Sequence, residues 1–243
     1  MITRRTLLVG TGATLLAGCD SLTNSPALMG ADEAHRFLQR SITGRAALAR
    51  EFRADQMSPR FRVNGTNNPN TPDYAALANN RFSDWRLAVD GLVARPLSLS
   101  LAQLQSLPQR AQITRHDCVE GWSAIGKWQG PRLETVLQLA GLRDTARYIV
   151  FHCADRIGGA PYYESIDLVD AFHPQTILAW AMNDATLSVG HGAPLRLRVE
   201  RQLGYKHAKY VMRVQAVDSL AGIGGGKGGF WEDSNGYEWY AGI

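Results

Sequence analysis

The chain has 243 residues, of which 45% are hydrophobic and 20% charged, enough to bury a core in one large domain or two small ones. Those figures exclude a disordered tail, a mini-protein and a coiled coil. The formal charge of +4 comes from Lys and Arg spread without a block of five or six, so no nucleic-acid partner is expected. Three cysteines without a CxxC pair exclude a disulfide scaffold and a zinc ribbon.

Residues 1–18 read as an export signal. Arg4 and Arg5 precede a small-residue, apolar stretch too short to span a bilayer. The arginine pair resembles a twin-arginine signal and Leu16-Ala17-Gly18-Cys19 a lipobox, which predicts inner-membrane association through lipid on Cys19 and a periplasmic location. An ordinary cleaved signal is the alternative, and it too places the mature chain outside the cytoplasm. Residues 19–57 form a linker and a helical segment: Asp20 to Met29 is polar, and Ala34, Phe37, Leu38, Ile42, Ala46, Leu48 and Phe52 recur near a helical period, with Gly44 as an interruption. The remaining residues, 58–243, are read as one domain.

That domain opens with a loop from Ser58 to Asn80, marked by Pro59, Pro69, Pro72 and six asparagines. Trp85 to Val89 alternates like a half-buried strand and meets the turn pair Asp90-Gly91. Leu99 to Leu107, Arg132 to Leu142 and Pro174 to Met182 read as helices, the second stopped near Gly141. Tyr148 to Cys153 and Leu195 to Val199 read as buried strands. Mixed elements without a regular βαβ rhythm, a repeat or a dinucleotide fingerprint predict an α+β fold.

The chemistry concentrates in Arg115-His116-Asp117-Cys118-Val119-Glu120-Gly121-Trp122-Ser123. A thiol flanked by Arg115 and His116 is expected to be held as thiolate, the form that binds soft metals or attacks carbon. A buried inert cysteine is the structural alternative. A Cys-His hydrolase pairing Cys118 with His116 or His152 is a further one.

Three ordered runs carry a resemblance: Cys118 to Ser123, His191-Gly192-Ala193-Pro194-Leu195-Arg196, and Gly204-Tyr205-Lys206-His207-Ala208-Lys209-Tyr210-Val211. They resemble the sulfite oxidase-like molybdopterin-dependent oxidoreductases, in particular the single-domain periplasmic branch that includes the catalytic subunit of protein-methionine-sulfoxide reductase. The likeness runs from about Phe61 to the C-terminus. It implies a sulfite oxidase-type molybdopterin-binding domain with one molybdenum-molybdopterin per chain. Cys118 would be the single protein ligand to the metal, a soft thiolate suited to a high-valent centre. Asn64, His191, Arg196, His207, the Ala208 backbone and Lys209 match positions that hold the cofactor, whose phosphate and polar rings need cationic and amide donors.

Two departures bear on the chemistry. Cys153 stands where the reductase pattern has a cofactor-contacting threonine; it is expected to touch the pterin, to pack in a strand, or to pair with Cys118 as a disulfide. His191 stands where that pattern has asparagine. Taken alone, the alternation of Leu195, Leu197 and Val199 places Arg196 on the face away from the core. Gly222 to Gly229 reads as a flexible loop, since no GKS or GKT follows the glycines, and the aromatic tail beyond it is expected to close the core.

The expected reaction is two-electron oxygen-atom transfer on an S-oxide, N-oxide or sulfite-like substrate, small or protein-bound. No CxxCH occurs, so no haem is expected in this chain, and electrons would pass through a membrane haem or quinone-linked partner. Relatives with an extra dimerisation domain are longer, which predicts a monomer here. A non-enzymatic envelope lipoprotein retaining the fold is the rival reading.

Overall fold

The structure is a computed structural model that describes residues 44–243; the export signal, Cys19 and most of the proposed N-terminal helix lie outside the described residues. Residues 44–47 make a local turn, and the fold is that of the compact unit Leu48–Ile243. Its helices are α1 (Pro72–Asn79), α2 (Leu101–Ser106), α3 (Leu133–Ala140), α4 (Leu168–Ala171) and α5 (Phe230–Asn235). Its strands are β1 (Arg86–Gly91), β2 (Leu97–Ser100), β3 (Gln109–Cys118), β4 (Trp122–Pro131), β5 (Tyr148–Ile157), β6 (Ala160–Asp167), β7 (Ile177–Ala179), β8 (Ala181–Met182), β9 (Ala185–Thr186), β10 (Arg196–Arg198) and β11 (Val211–Val217).

Strands β2-β1-β11-β5-β6 form one sheet, β3-β4-β8-β9 a second, and β10-β7 a two-stranded third. Pairing is antiparallel except for β1 with β11, so the chain crosses the whole domain between those two strands. The expected α+β class holds, with strands dominating. Leu87 and Val89 of β1, Ile149 and Phe151 of β5 and Val214 of β11 are fully buried with Leu133, Val136 and Leu137 of α3. Helix α3 ends as its sequence predicts, on Gly141 at a left-handed φ of 68°.

Four local expectations are corrected. From Leu48 to Met57 there is no α-helix: Phe52 donates to the Ile113 carbonyl and Glu51 bridges Thr114, because this segment lies on the edge of β3, where pairing overrides a weak period. The loop from Ser58 to Asn80 contains α1; Thr71 caps it, its hydroxyl accepting from the Tyr74 amide, and Pro72 sits in its first turn, where a missing N–H costs nothing. The helix expected from Leu99 begins as strand β2 and turns helical at Leu101, after Ser100 and Gln103 form a capping box. Pro174 to Met182 is not helix but a turn followed by two short strands, because Ile177–Ala179 pairs with β10 and Ala181–Met182 with β4.

Candidate active site

Strand β3 delivers Cys118 to the end of a hairpin. Cys118 pairs with Trp122, and the turn between them closes through the Gly121 amide on the Cys118 carbonyl, with Gly121 at φ 81°. The half-buried thiol lines a cavity of about 200 Å³ together with Asn64, Glu120, Asp155, Tyr162, Tyr205, His207, Lys209, Trp231 and Tyr237. The expected thiolate is not built by its neighbours. Burial pushes the Cys118 thiol up, against the Glu120 amide, while Arg115 turns outward to pair with Asp117 at 2.9 Å. A bound cation would supply the missing positive charge and deprotonate the thiol outright. Among the described residues no group of three or more His, Cys, Asp or Glu is disposed to hold a metal ion, so a metal at Cys118 would take its other ligands from a non-protein group.

Lys209 organises the opposite wall. Its Nζ donates to the carbonyls of Asn64 (2.7 Å), Gly190 (2.9 Å) and Thr66, which ties the Asn64 loop to the His191 turn. Burial and Arg196 pull the ammonium down to about 7. Tyr210 follows in the left-handed region at φ 54°, fully buried, with its hydroxyl on the Thr66 carbonyl at 2.8 Å. A bulky residue at positive φ is costly and is kept where the surroundings over-determine it.

Arg196 is fully buried, not on an outer face. With Arg198 two residues along the same strand, it packs on Trp128, the guanidinium carbons 4.8 and 4.3 Å from the ring centre. The alternation placed it on the face away from Leu195 and Leu197 correctly, but that face meets β3, whose inward side is the polar run Gln112, Thr114, His116. Arg198 is neutralised by Glu200, with Nε at 2.9 Å and Nη2 at 2.5 Å, and donates to His116 Nδ1 at 2.9 Å. Arg196 donates only to the His191 carbonyl at 3.1 Å, leaving its Nε and Nη2 buried without a partner. Burial and Arg198 draw its pKa down to about 9.

Orphaned polar atoms gather here. Besides the two of Arg196, His191 Nε2, His207 Nδ1, His116 Nε2 and Asp155 Oδ1 are buried without a hydrogen bond. Such atoms cost about 1–3 kcal/mol each in a closed interior. A polar heterocycle carrying a phosphate would satisfy them: Arg196 and His191 suit an anion, and His207 suits ring nitrogens. The residues present therefore fit molybdopterin.

The predicted residues divide as follows. Cys118, Asn64, His207 and Lys209 line one cavity, and Arg196 and His191 stand behind Lys209, the Arg196 and Lys209 Cβ atoms both bordering Gly192. The Ala208 backbone is already engaged, its N–H on the Lys206 carbonyl and its carbonyl accepting from Leu197. Cys153 lies in a neighbouring cavity with Tyr74 and Met212. Both described cysteines are free thiols, so the disulfide alternative is not realised. No hydrogen bond joins Cys118 to either hydrolase partner: His116 Nδ1 meets Arg198 and its Nε2 has no partner, and His152 Nε2 bonds Gln215 at 2.9 Å.

Sequence reasoning missed Asp155, Tyr162, Arg198 and Trp128, and gave Trp231 and Tyr237 mainly a packing role. The polar alternation of Gln112, Thr114 and His116 and that of Arg196, Arg198 and Glu200 was the available signal: two segments with hydrogen-bonding side chains at a period of two.

The model of a family described as oxidoreductase molybdopterin binding domain matches residues 74–221. A putative protein-methionine-sulfoxide reductase subunit YedZ1 of Azospira oryzae is 44% identical over 160 residues, covering 66% of this chain and 56% of that protein. The chain thus spans little more than half the length of that curated relative. The sulfane dehydrogenase SoxCD from Paracoccus pantotrophus superposes with a TM-score of 0.51 at 22% identity, over 56% of this chain and 39% of that one, a likeness of fold.

Proposed function

Because the chain belongs to the oxidoreductase molybdopterin-binding domain family, we propose that it is an exported reductase of S-oxides, of the methionine sulfoxide class, with Cys118 as the one protein ligand to molybdenum. The carrying observation is the cavity at Cys118, where a thiol without a basic activator shares the lining with His207 and Asp155, each with an unsatisfied buried polar atom, and with Lys209, which borders Gly192 together with Arg196. Bound there, the cofactor supplies two-electron oxygen-atom transfer.

The chain's own residues support the reductive direction. Sulfite is an anion, yet the cavity wall carries the exposed carboxyl of Glu120, and its one lysine is spent on three carbonyls. A neutral S-oxide avoids that repulsion. Trp231 and Tyr237, stacked 5.9 Å apart, and Tyr205, edge-on to Tyr237 at 5.1 Å, offer the aromatic surface that a thioether group favours. The half-buried thiol would hold the metal, Arg196 and His191 would bind the anionic end of the cofactor, and Lys209 fixes the Asn64 loop beside the cavity.

Electrons would come from a separate membrane partner, in keeping with the relative's being named as a subunit. The export signal and lipobox support a periplasmic location with a tether to the inner membrane. Cys118→Ser tests the assignment. The folded variant should keep its pterin pocket yet lose molybdenum and S-oxide reduction, measured by metal analysis, pterin fluorescence after release, and turnover with a dye donor. Wild-type protein from a molybdenum-replete host that binds neither metal nor pterin refutes it.

A further inference from the structure

Reducing an S-oxide takes protons as well as electrons: one sulfoxide, two electrons and two protons give one thioether and one water. The sulfur–oxygen bond breaks, sulfur is reduced, the electrons come from the reduced molybdenum cofactor, and both protons end in the water. One buried carboxyl is placed to supply them.

Asp155 is 4% exposed and lines the Cys118 cavity. It also lines a second cavity, bounded by Asp73, Tyr74, Cys153, Arg156 and Met212, whose Asp73 and Arg156 are exposed to solvent. Asp155 therefore stands in the partition between the reaction cavity and the outside. A break in strand pairing puts it there. The register of β5 with β6 passes from His152↔Tyr163 to Arg156↔Pro161, so residues 153 to 155 stand against Tyr162 alone. Bulges of this kind re-aim side chains beside active sites.

The environment suits proton exchange. The Thr66 side chain favours the charged carboxyl, while Oδ1 is buried with no partner. The titratable groups around it are Lys209 before β11, Tyr210 beside it, Tyr74 of α1, Tyr162 of β6 and Cys153 of β5 itself. Burial holds the carboxyl above the usual aspartate range, with Thr66 and Lys209 opposing. Glu120, the other carboxylate of the cavity, is exposed and accepts from Trp122 Nε1 at 3.0 Å.

We propose that Asp155 is the acid of the reaction: it passes a proton into the Cys118 cavity and is reprotonated from solvent through the cavity on its other side. The role rests on the S-oxide reductase reading. The test compares wild type, Asp155→Asn and Asp155→Glu, each reduced with dithionite and then oxidised with free methionine sulfoxide in a stopped-flow experiment. The Asn variant, which keeps the size and shape of the side chain, should hold wild-type amounts of molybdenum and pterin yet react about 10²–10⁴-fold more slowly; the Glu variant should recover most of the rate.

Infrared difference spectra of the cofactor-free protein give an independent readout. A protonated-carboxyl carbonyl band should persist above the usual aspartate range in wild type and be missing from the Asn variant. An Asn variant that reacts at the wild-type rate overturns the role of Asp155 alone, and so does absence of that band, which decides the matter even if the Asn variant fails to load cofactor. Metal-loaded wild type that no S-oxide reoxidises overturns the reductase reading and this role with it.

Discussion

Arg198→Met removes the cation that neutralises the interior beside Arg196. Arg198 and Glu200 are both fully buried and joined through two hydrogen bonds, Nε at 2.9 Å and Nη2 at 2.5 Å. Breaking a buried pair from one side costs about 3–5 kcal/mol, because the remaining charge has no solvent. Gln112 still donates to Glu200 at 2.9 Å, which puts the expectation at the lower end, about 3 kcal/mol. With a urea dependence of about 2 kcal/mol per molar, that is a fall in midpoint of about 1.5 M. In Arg198→Met/Glu200→Gln neither member of the pair is left charged without the other, and Met can still pack on Trp128, so the double variant should be at least about 1 kcal/mol more stable than the sum of the single losses implies. Urea unfolding of the four cofactor-free proteins, followed by tryptophan fluorescence, completes the cycle. A single-variant loss under about 1 kcal/mol, or strict additivity, would mean that the pair is hydrated and that the interior around Arg196 is not sealed from water.

Acid should destabilise the cofactor-free protein through His116 and His207, whose pKa values burial and the neighbouring arginines hold well below the ordinary imidazole value. Below about pH 6.5 the unfolded chain takes up protons that the native state refuses, so stability falls as pH drops, by about 2 kcal/mol per histidine between pH 7 and 5. Denaturant curves at the two pH values measure this, and His207→Gln should remove its share; a flat profile contradicts the burial. Gly204→Ala should be destabilising by about 1–3 kcal/mol and weaken cofactor retention, since the added methyl would lie 2.5 Å from His116 Nε2. Gly222→Ala, with open space around it, is the control. Equal melting temperatures for the two variants would count against the close approach of Gly204 to His116.

Much of the fold was readable from local pattern. Leu87 and Val89 alternate because β1 has one buried face, and Gly141 stops α3 because a left-handed cap favours glycine. The helix expected from Pro174 to Met182 and the loop that hid α1 went wrong for one reason: short segments take the conformation their neighbours can hydrogen-bond, and that is a long-range fact. Cys118 of the first motif, His207 and Lys209 of the third, and Asn64 of the loop far upstream line one cavity.

The residue types and their order determined the family and the identity of the thiol. Only the tertiary structure decided the electrostatics. Whether Arg196 is a surface charge or a buried cation depends on Trp128 of β4 packing against it, and whether Cys118 ionises depends on Arg115 turning away to Asp117. Whether Asp155 reaches the cavity depends on where the pairing of β5 with β6 breaks. Charge and reactivity follow from what surrounds a side chain in three dimensions, and the chain brings those surroundings together from positions scores of residues apart.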